Sequence, residues 1–168
     1  CVDMAKIAFD PGDGKKRCEW CLKDDLYVKY HDEEWGVPSH DDQHLFEHLI
    51  LETFQAGLSW YTVLAKRENF RKAFHHFDAQ KMSRMTEQDI LVLLQDAGII
   101  RSRAKIQAAI NNAQRYLEIV AEFGTFDRYI WQFTDHKTLQ IEVSQWSDVQ
   151  TTTSQSDAMA KDLKKRGF

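Results

Sequence analysis

Residues 86–123 read TEQDILVLLQDAGIIRSRAKIQAAINNAQRYLEIVAEF. Thr86, followed three residues later by Asp89 and then by the apolar run Ile90-Leu-Val-Leu-Leu, reads as a capping box and predicts a helix to about residue 96. Ala97-Gly98-Ile99-Ile100 forms a tight turn. Beyond it a second helix is expected from about Ser102 to Phe123, with Ile106, Ile110, Tyr116 and Ile119 as candidate core positions. The stretch is thus a helical hairpin.

The same periodicity spreads outward. Leu45, Phe46, Leu49, Ile50 and Phe54 recur at helical spacing after the start signal Ser39/Asp41/Asp42, predicting a helix of about 41–56 that stops at Gly57. Shorter helices are expected near 59–67, 69–76 and 125–134. A last one is expected near 154–166, begun by Ser154 or Ser156. Residues 135–153 are polar and Thr-rich, which predicts a loop, and no stretch alternates convincingly with a period of two. The expectation is an all-α bundle with an irregular, aromatic-rich segment before it. Residues 1–16 are taken as an N-terminal extension and 17–168 as a single helical domain.

Composition narrows the setting. A chain of 168 residues with 43% hydrophobic content can bury one good core or two small lobes, which excludes a disordered protein. No apolar run approaches the ~20 residues of a membrane span, and no basic-then-apolar leader opens the sequence, so a soluble intracellular protein is expected. Three cysteines, two of them in Cys18-Glu-Trp-Cys21, do not make a disulfide framework and suit metal-binding or free thiols.

Glu52 is the first functional candidate. At 100° per residue it projects beside Leu45, Leu49 and Ala56, at the edge of the apolar face. A carboxylate there needs hydrogen bonds or a cation, because burying it unpaired costs several kcal/mol. Either an Arg or Lys of the chain or a cationic ligand satisfies it. Trp20, Tyr27, Tyr30 and Trp35 upstream and Trp60 and Tyr61 downstream favour the ligand, since aromatic faces attract cations and stack on planar bases.

The hairpin supplies a second candidate. The formal charge of -4 does not advertise a polyanion partner, but Arg101, Arg103, Lys105 and Arg115 fall together with no acid between 101 and 115. Lys161, Lys164, Lys165 and Arg166 form another basic cluster, offset only by Asp162. Backbone N–H groups at Gly98 and Ile99, joined to the first cluster, suit a phosphate, as in helix-hairpin-helix DNA binders. Ile100 stands where the second glycine of such hairpins usually lies.

Several blocks, in order, resemble one family. Cys18-Glu-Trp20, Tyr30-His31-Asp-Glu-Glu-Trp35-Gly-Val-Pro38, Leu51-Glu52 with Gln55-Ala-Gly-Leu-Ser-Trp60, Lys66-Arg-Glu-Asn69, Asp96-Ala-Gly-Ile-Ile-Arg101 and Ser156-Asp157 with Lys164-Lys-Arg-Gly-Phe168 are similar to 3-methyladenine DNA glycosylases of the constitutive type I. The resemblance implies a bacterial-type cytoplasmic enzyme of the helix-hairpin-helix superfamily. Such an enzyme excises N3-methyladenine from alkylated double-stranded DNA by base flipping and releases the free base, and a monomer is expected. It also implies that Glu52 and Tyr30 hydrogen-bond the flipped base and that Trp60 and Trp20 stack on it. Gln55 and Trp35 join them as base-binding candidates. Leu58, pushed outward by the Gly57 turn, fills the vacated space, while Gly98, Ile99, Arg101, Arg103 and Lys105 hold the backbone. No acid after the hairpin stands out as a catalytic Asp; Glu118, Glu122 and Asp127 are the nearest.

Two departures stand out. Cys18 and His31 match the family's N-terminal zinc ligands, but no later residue in this chain matches the remaining two, so an incomplete zinc site is expected; Cys21 is an alternative ligand. Thr53 replaces a customary glycine and would add bulk near the pocket. Two other readings share these residues: a catalytically silent binder of damaged DNA or alkylpurines, and a zinc or redox protein built on Cys18, Cys21 and His31.

Overall fold

The computed structural model describes residues 8–143 and 146–168. The chain folds as a helical bundle around α7, Arg103–Phe123, whose buried face carries Ile106, Ala109, Ile110, Ala113, Tyr116 and Ile119. All four core positions expected on this helix are therefore buried. Against it lies α2, Asp42–Gln55, which contributes Phe46, Ile50, Leu51 and Phe54 to the same core, with Leu45 and Leu49 at its margin.

Between α2 and α7 the chain runs through α3, Trp60–Ala65, α4, Arg67–Ala73, α5, Ala79–Met82, and α6, Glu87–Leu93. After α7 come α8, Phe126–Trp131, and α9, Ser154–Lys165. Short polar side chains set nearly every start. Asp41, Ser59, Asp78, Thr86, Ser102, Thr125 and Thr153 each accept a backbone N–H of the first turn, so the orphan donors of those helices are satisfied locally. The Thr86/Asp89 capping box is present as expected. The cap of α9 is Thr153, one residue before the candidate Ser154 and three before Ser156, because Thr153 and Ser156 close a reciprocal box of their own.

Three other local expectations are revised. Asp25–Glu33 forms α1, capped by Asp24, within the stretch expected to be irregular. Only Tyr27 of this helix is buried, so its apolar period is too weak to show in sequence. The helix expected at 69–76 is Arg67–Ala73, since His75, His76 and Phe77 adopt positive φ of 53°, 55° and 56° and turn the Phe77 ring into the core. Gln43 holds that turn through bonds from Nε2 to the His76 and Phe77 carbonyls, at 3.2 and 3.0 Å. Ala8–Phe9 and Arg17–Cys18 pair as a two-stranded antiparallel ladder within and just after the proposed 1–16 extension, a minor addition to an all-α fold. Residues 1–7 of that extension and 144–145 of the polar stretch lie outside the described residues.

Several polar groups inside the bundle are paired. Glu47, buried on α2, is held by Arg67 Nε and by Arg71 Nη2 at 2.8 Å. Asp42 accepts the Phe126 and Asp127 amides at 2.9 and 2.8 Å, which fixes the start of α8 over α2. The last helix docks through Arg166, which bonds Asp162 and Glu122 and lies over the Phe123 and Tyr129 rings. That arginine of the second basic cluster is thus committed to the fold.

Candidate active site

α1, α2 and the start of α3 enclose a cavity of about 330 Å³ lined by Trp20, Tyr27, Tyr30, Trp35, Glu52, Gln55 and Trp60. Six of these seven residues are base-binding candidates from the sequence; Tyr27 joins them because it shares the inner face of α1 with Tyr30, three residues on. Trp20 anchors one wall, with ring centroids 4.7 Å from Tyr27 and 5.4 Å from Trp35, both edge-on. Tyr30 and Trp60 meet across the other at 5.6 Å. The walls are aromatic, and aromatic faces suit a flat ring.

Glu52 is the only acid in this lining. Its side chain reaches solvent through the cavity mouth, yet burial against the walls pushes its carboxyl above the ordinary value of 4.5. Among the described residues no side chain forms an ion pair or hydrogen bond with it, so the alternative of an internal Arg or Lys partner is not realised. Tyr30 is pushed up to about 12, chiefly by burial and then by the Glu52 charge, and its hydroxyl stays a proton donor across the physiological range. Trp60 Nε1 is buried without a hydrogen-bond partner among the described residues. A carboxylate and a neutral phenol therefore share one aromatic cavity. The arrangement suits a planar cation with its own donors and acceptors.

The turn beside the cavity is braced by its own residues. Gly57 has φ of +78°, a conformation that glycine adopts without steric cost, and Leu58 N–H donates to the Gln55 carbonyl at 2.7 Å. Gln55 Nε2 returns a bond to the Leu58 carbonyl at 2.8 Å. Leu58 is left half-exposed at the rim. Thr53 does not crowd the cavity as its sequence position suggests: its hydroxyl donates to the Leu49 carbonyl and accepts from Asn112 Nδ2, both at 2.9 Å, on the α7 side of α2.

The hairpin residues divide by role. A Cβ added at Gly98 would stand 3.0 Å from Asn69 Cγ and 3.0 Å from Asp96 Oδ1, so glycine at 98 lets the Asn69 side chain pack close on the turn. Gly98 N–H donates to Asp96 at 2.8 Å, and its carbonyl accepts from Asn69 at 3.2 Å. The Ile99 side chain is buried in the core. Arg103 pairs with Glu87, and Lys105 Nζ donates to the carbonyls of Phe54 and Ala56. Arg101 is exposed, without an ion pair among the described residues.

Glu118, Glu122 and Asp127 are occupied elsewhere, by Arg115, Arg166 and His40. None lines the cavity. Cys18 and His31 are neighbours, with the Cys18 amide donating to His31 Nε2 at 3.4 Å. Cys21 points its thiol at the Cys18 carbonyl, 3.1 Å away. Burial raises the pKa of both thiols.

Comparison with known proteins agrees with this geometry. Residues 20–168 match the family model described as methyladenine glycosylase. The chain is 51% identical over 153 residues to DNA-3-methyladenine glycosylase 1 of Escherichia coli (strain K12), covering 91% of this chain and 82% of that one. A crystal structure of 3-methyladenine DNA glycosylase I superposes with a TM-score of 0.86 at 49% identity, over 90% of this chain and 84% of the other. A variant of such an enzyme in complex with 3-methyladenine superposes with a TM-score of 0.85 at 38% identity, over 89% and 80%.

Proposed function

The chain belongs to the methyladenine glycosylase family, and from that membership we propose that it excises N3-methyladenine from alkylated double-stranded DNA, leaving an abasic site. The observation that carries the reading is Glu52, a carboxylate with no cation partner among the described residues, in a cavity walled by Trp20, Tyr30, Trp35 and Trp60. The flipped base enters this cavity. Its positive ring stacks between the aromatic walls, the Tyr30 hydroxyl donates to it, and Glu52 accepts from it while opposing its charge.

Leaving-group chemistry explains the absence of an acid–base pair in the cavity lining. N3-methylation makes the adenine cationic, so the glycosidic bond breaks to release a neutral base and no proton needs to be supplied. Water adds to the sugar carbon left behind. The protein's part is then to select the cation and to hold it away from the stack, through positioning and differential stabilisation. Glu52 acts as an electrostatic and hydrogen-bonding partner rather than as a strong general base. Leu58 fills the gap in the duplex and Arg101 meets the phosphates; the Gly98 and Ile99 amides expected to join it are taken by the Asp96 carboxylate and carbonyl.

Cys18 and His31 would supply two ligands of the zinc site that the resemblance implies. Among the described residues no third Cys or His donor joins them, and His31 Nε2 faces the Cys18 amide, so no step of the reaction is routed through zinc. Among the described residues no helix is long and apolar enough to cross a membrane. The enzyme is proposed to work as a monomer on DNA in the cytoplasm, with free 3-methyladenine as its product.

The test is release of 3-methyladenine from methylated duplex DNA by this chain and by Glu52→Gln. Release that falls sharply in the variant supports the reading. Equal release by both removes Glu52 from the mechanism, and tight base binding without release by either identifies a silent binder.

A further inference from the structure

Beside the base cavity, and outside every role given above, stand two histidines and a glutamate. We propose that Glu34, His44 and His48 form a binding site for a divalent transition-metal ion of the zinc type, distinct from Cys18 and His31. His48 Nε2 lies 3.0 Å and His44 Nε2 3.9 Å from the same carboxylate oxygen, Glu34 Oε2. One ligand atom from each residue falls within 4.8 Å of the others. Bonds of ~2.0–2.2 Å to a tetrahedral ion space the ligand atoms roughly 3.3 Å apart, so small side-chain rotations convert this cluster into a coordination shell.

The helix geometry makes the cluster specific. His44 and His48 are four residues apart on α2, the spacing that puts two imidazoles on one face, and their ring centroids are 4.4 Å apart. The second Glu34 oxygen accepts from Arg67 Nη1 at 2.6 Å, which fixes the carboxylate in the way outer-shell partners orient metal ligands. Arg67 is also bonded to Glu47, so its charge is already offset. All three ligands are half-buried and border a cleft of about 450 Å³ between α1, α2 and residues 130–139, which leaves a fourth position for water. Two imidazoles with one carboxylate suit zinc, cobalt, nickel or copper, whereas magnesium and calcium take oxygen ligands.

The position gives such an ion a mechanical role. Glu34 lies one helical turn beyond Tyr30, and His48 one turn before Glu52. An ion held here would pin together the two helices that carry the polar groups of the cavity, directly behind Trp60, on which His48 stacks at 6.0 Å.

Metal-free full chain should be titrated with zinc(II) by calorimetry and with cobalt(II) by absorbance, beside His44→Gln and His48→Gln. Cobalt bound by thiolate shows near-ultraviolet charge-transfer bands that imidazole and carboxylate ligands lack, so the cysteines report separately. The expected result is zinc binding that raises the melting temperature of the wild type and that weakens by ~10-fold or more in both variants, since losing a ligand costs at least as much as losing an outer-shell partner. A band-free cobalt population should vanish with it. Should the His48 variant lose its circular dichroism, the His44 variant, which keeps the Trp60 stack, decides. Equal zinc affinity in the wild type and the folded variants, cobalt bound only with thiolate bands, or no zinc uptake by the wild type overturns the proposal.

Discussion

Lys105 Nζ donates to the Ala56 carbonyl at 2.6 Å and to the Phe54 carbonyl at 2.8 Å, so a lysine from the basic start of α7 closes the C-terminal end of α2. Those carbonyls have no partner within their own helix and carry the negative end of its dipole. The contact therefore ties the hairpin to the Gly57 turn that presents Leu58. A charge that sequence alone gives to phosphate is spent on holding the Gly57 turn in place.

Lys105→Met is accordingly expected to lose about 1.5–3 kcal/mol of stability, the range for hydrogen bonds made by a charged group. Urea denaturation measures it. The salt dependence of DNA binding should keep its slope in this variant, whereas Arg101→Ala, at an exposed and unpaired arginine, should lower the slope by about 0.9. A slope change in Lys105→Met equal to that of Arg101→Ala would put the lysine on the DNA instead.

Gly98→Ala tests the hairpin from its other side. The new Cβ meets Asn69 and Asp96 at 3.0 Å, and the cost of such overpacking is roughly 1–3 kcal/mol. Asn69→Ala removes one obstacle along with its bond to the Gly98 carbonyl. The two changes should therefore be non-additive, the double variant being more stable than the sum of the single losses. Strict additivity in thermal melts would mean that Asn69 is not what makes residue 98 a glycine.

The hairpin and α2 were legible in sequence because both bury a continuous apolar stripe and begin on short polar caps. The cavity was legible because its aromatic residues and Glu52 sit in recognisable blocks. What sequence missed has a physical pattern. α1 buries one residue, so its period was hidden; Thr53 faces α7 because its hydroxyl found Asn112; and the fates of Arg103, Lys105 and Arg166 depended on acids and carbonyls distant in sequence. The Glu34/His44/His48 cluster joins two helices, and only its His-x-x-x-His half is visible in one of them.

Glu52 should also mark the stability curve. Burial raises its carboxyl above 4.5 in the folded chain, so the folded state binds more protons than the unfolded one in the window from that value upward. Stability contributed by this group is present at low pH and is lost as pH rises through the window. Glu52→Gln is expected to be more stable than the wild type at pH 7, with the advantage shrinking toward pH 4. Melting curves for the pair across that interval check the sign; a variant less stable at pH 7 would mean that the carboxylate has stabilising partners in the fold.

Substitution of Leu58 tests the proposed base flipping apart from base recognition. This leucine lies half-exposed on the turn held by Gly57 and Gln55, next to the cavity but outside its lining. Unstacking a base costs a few kcal/mol per step, and an apolar wedge offsets part of that by filling the gap. If Leu58 contributes as little as 1.4 kcal/mol, Leu58→Ala should lower excision from duplex DNA ~10-fold. Affinity for free 3-methyladenine should not change, because Trp20, Tyr30, Glu52 and Trp60 remain. The defect should shrink on methylated single strands, where no stack has to be opened. Equal losses on duplex and single strand would place Leu58 in base binding rather than in the duplex.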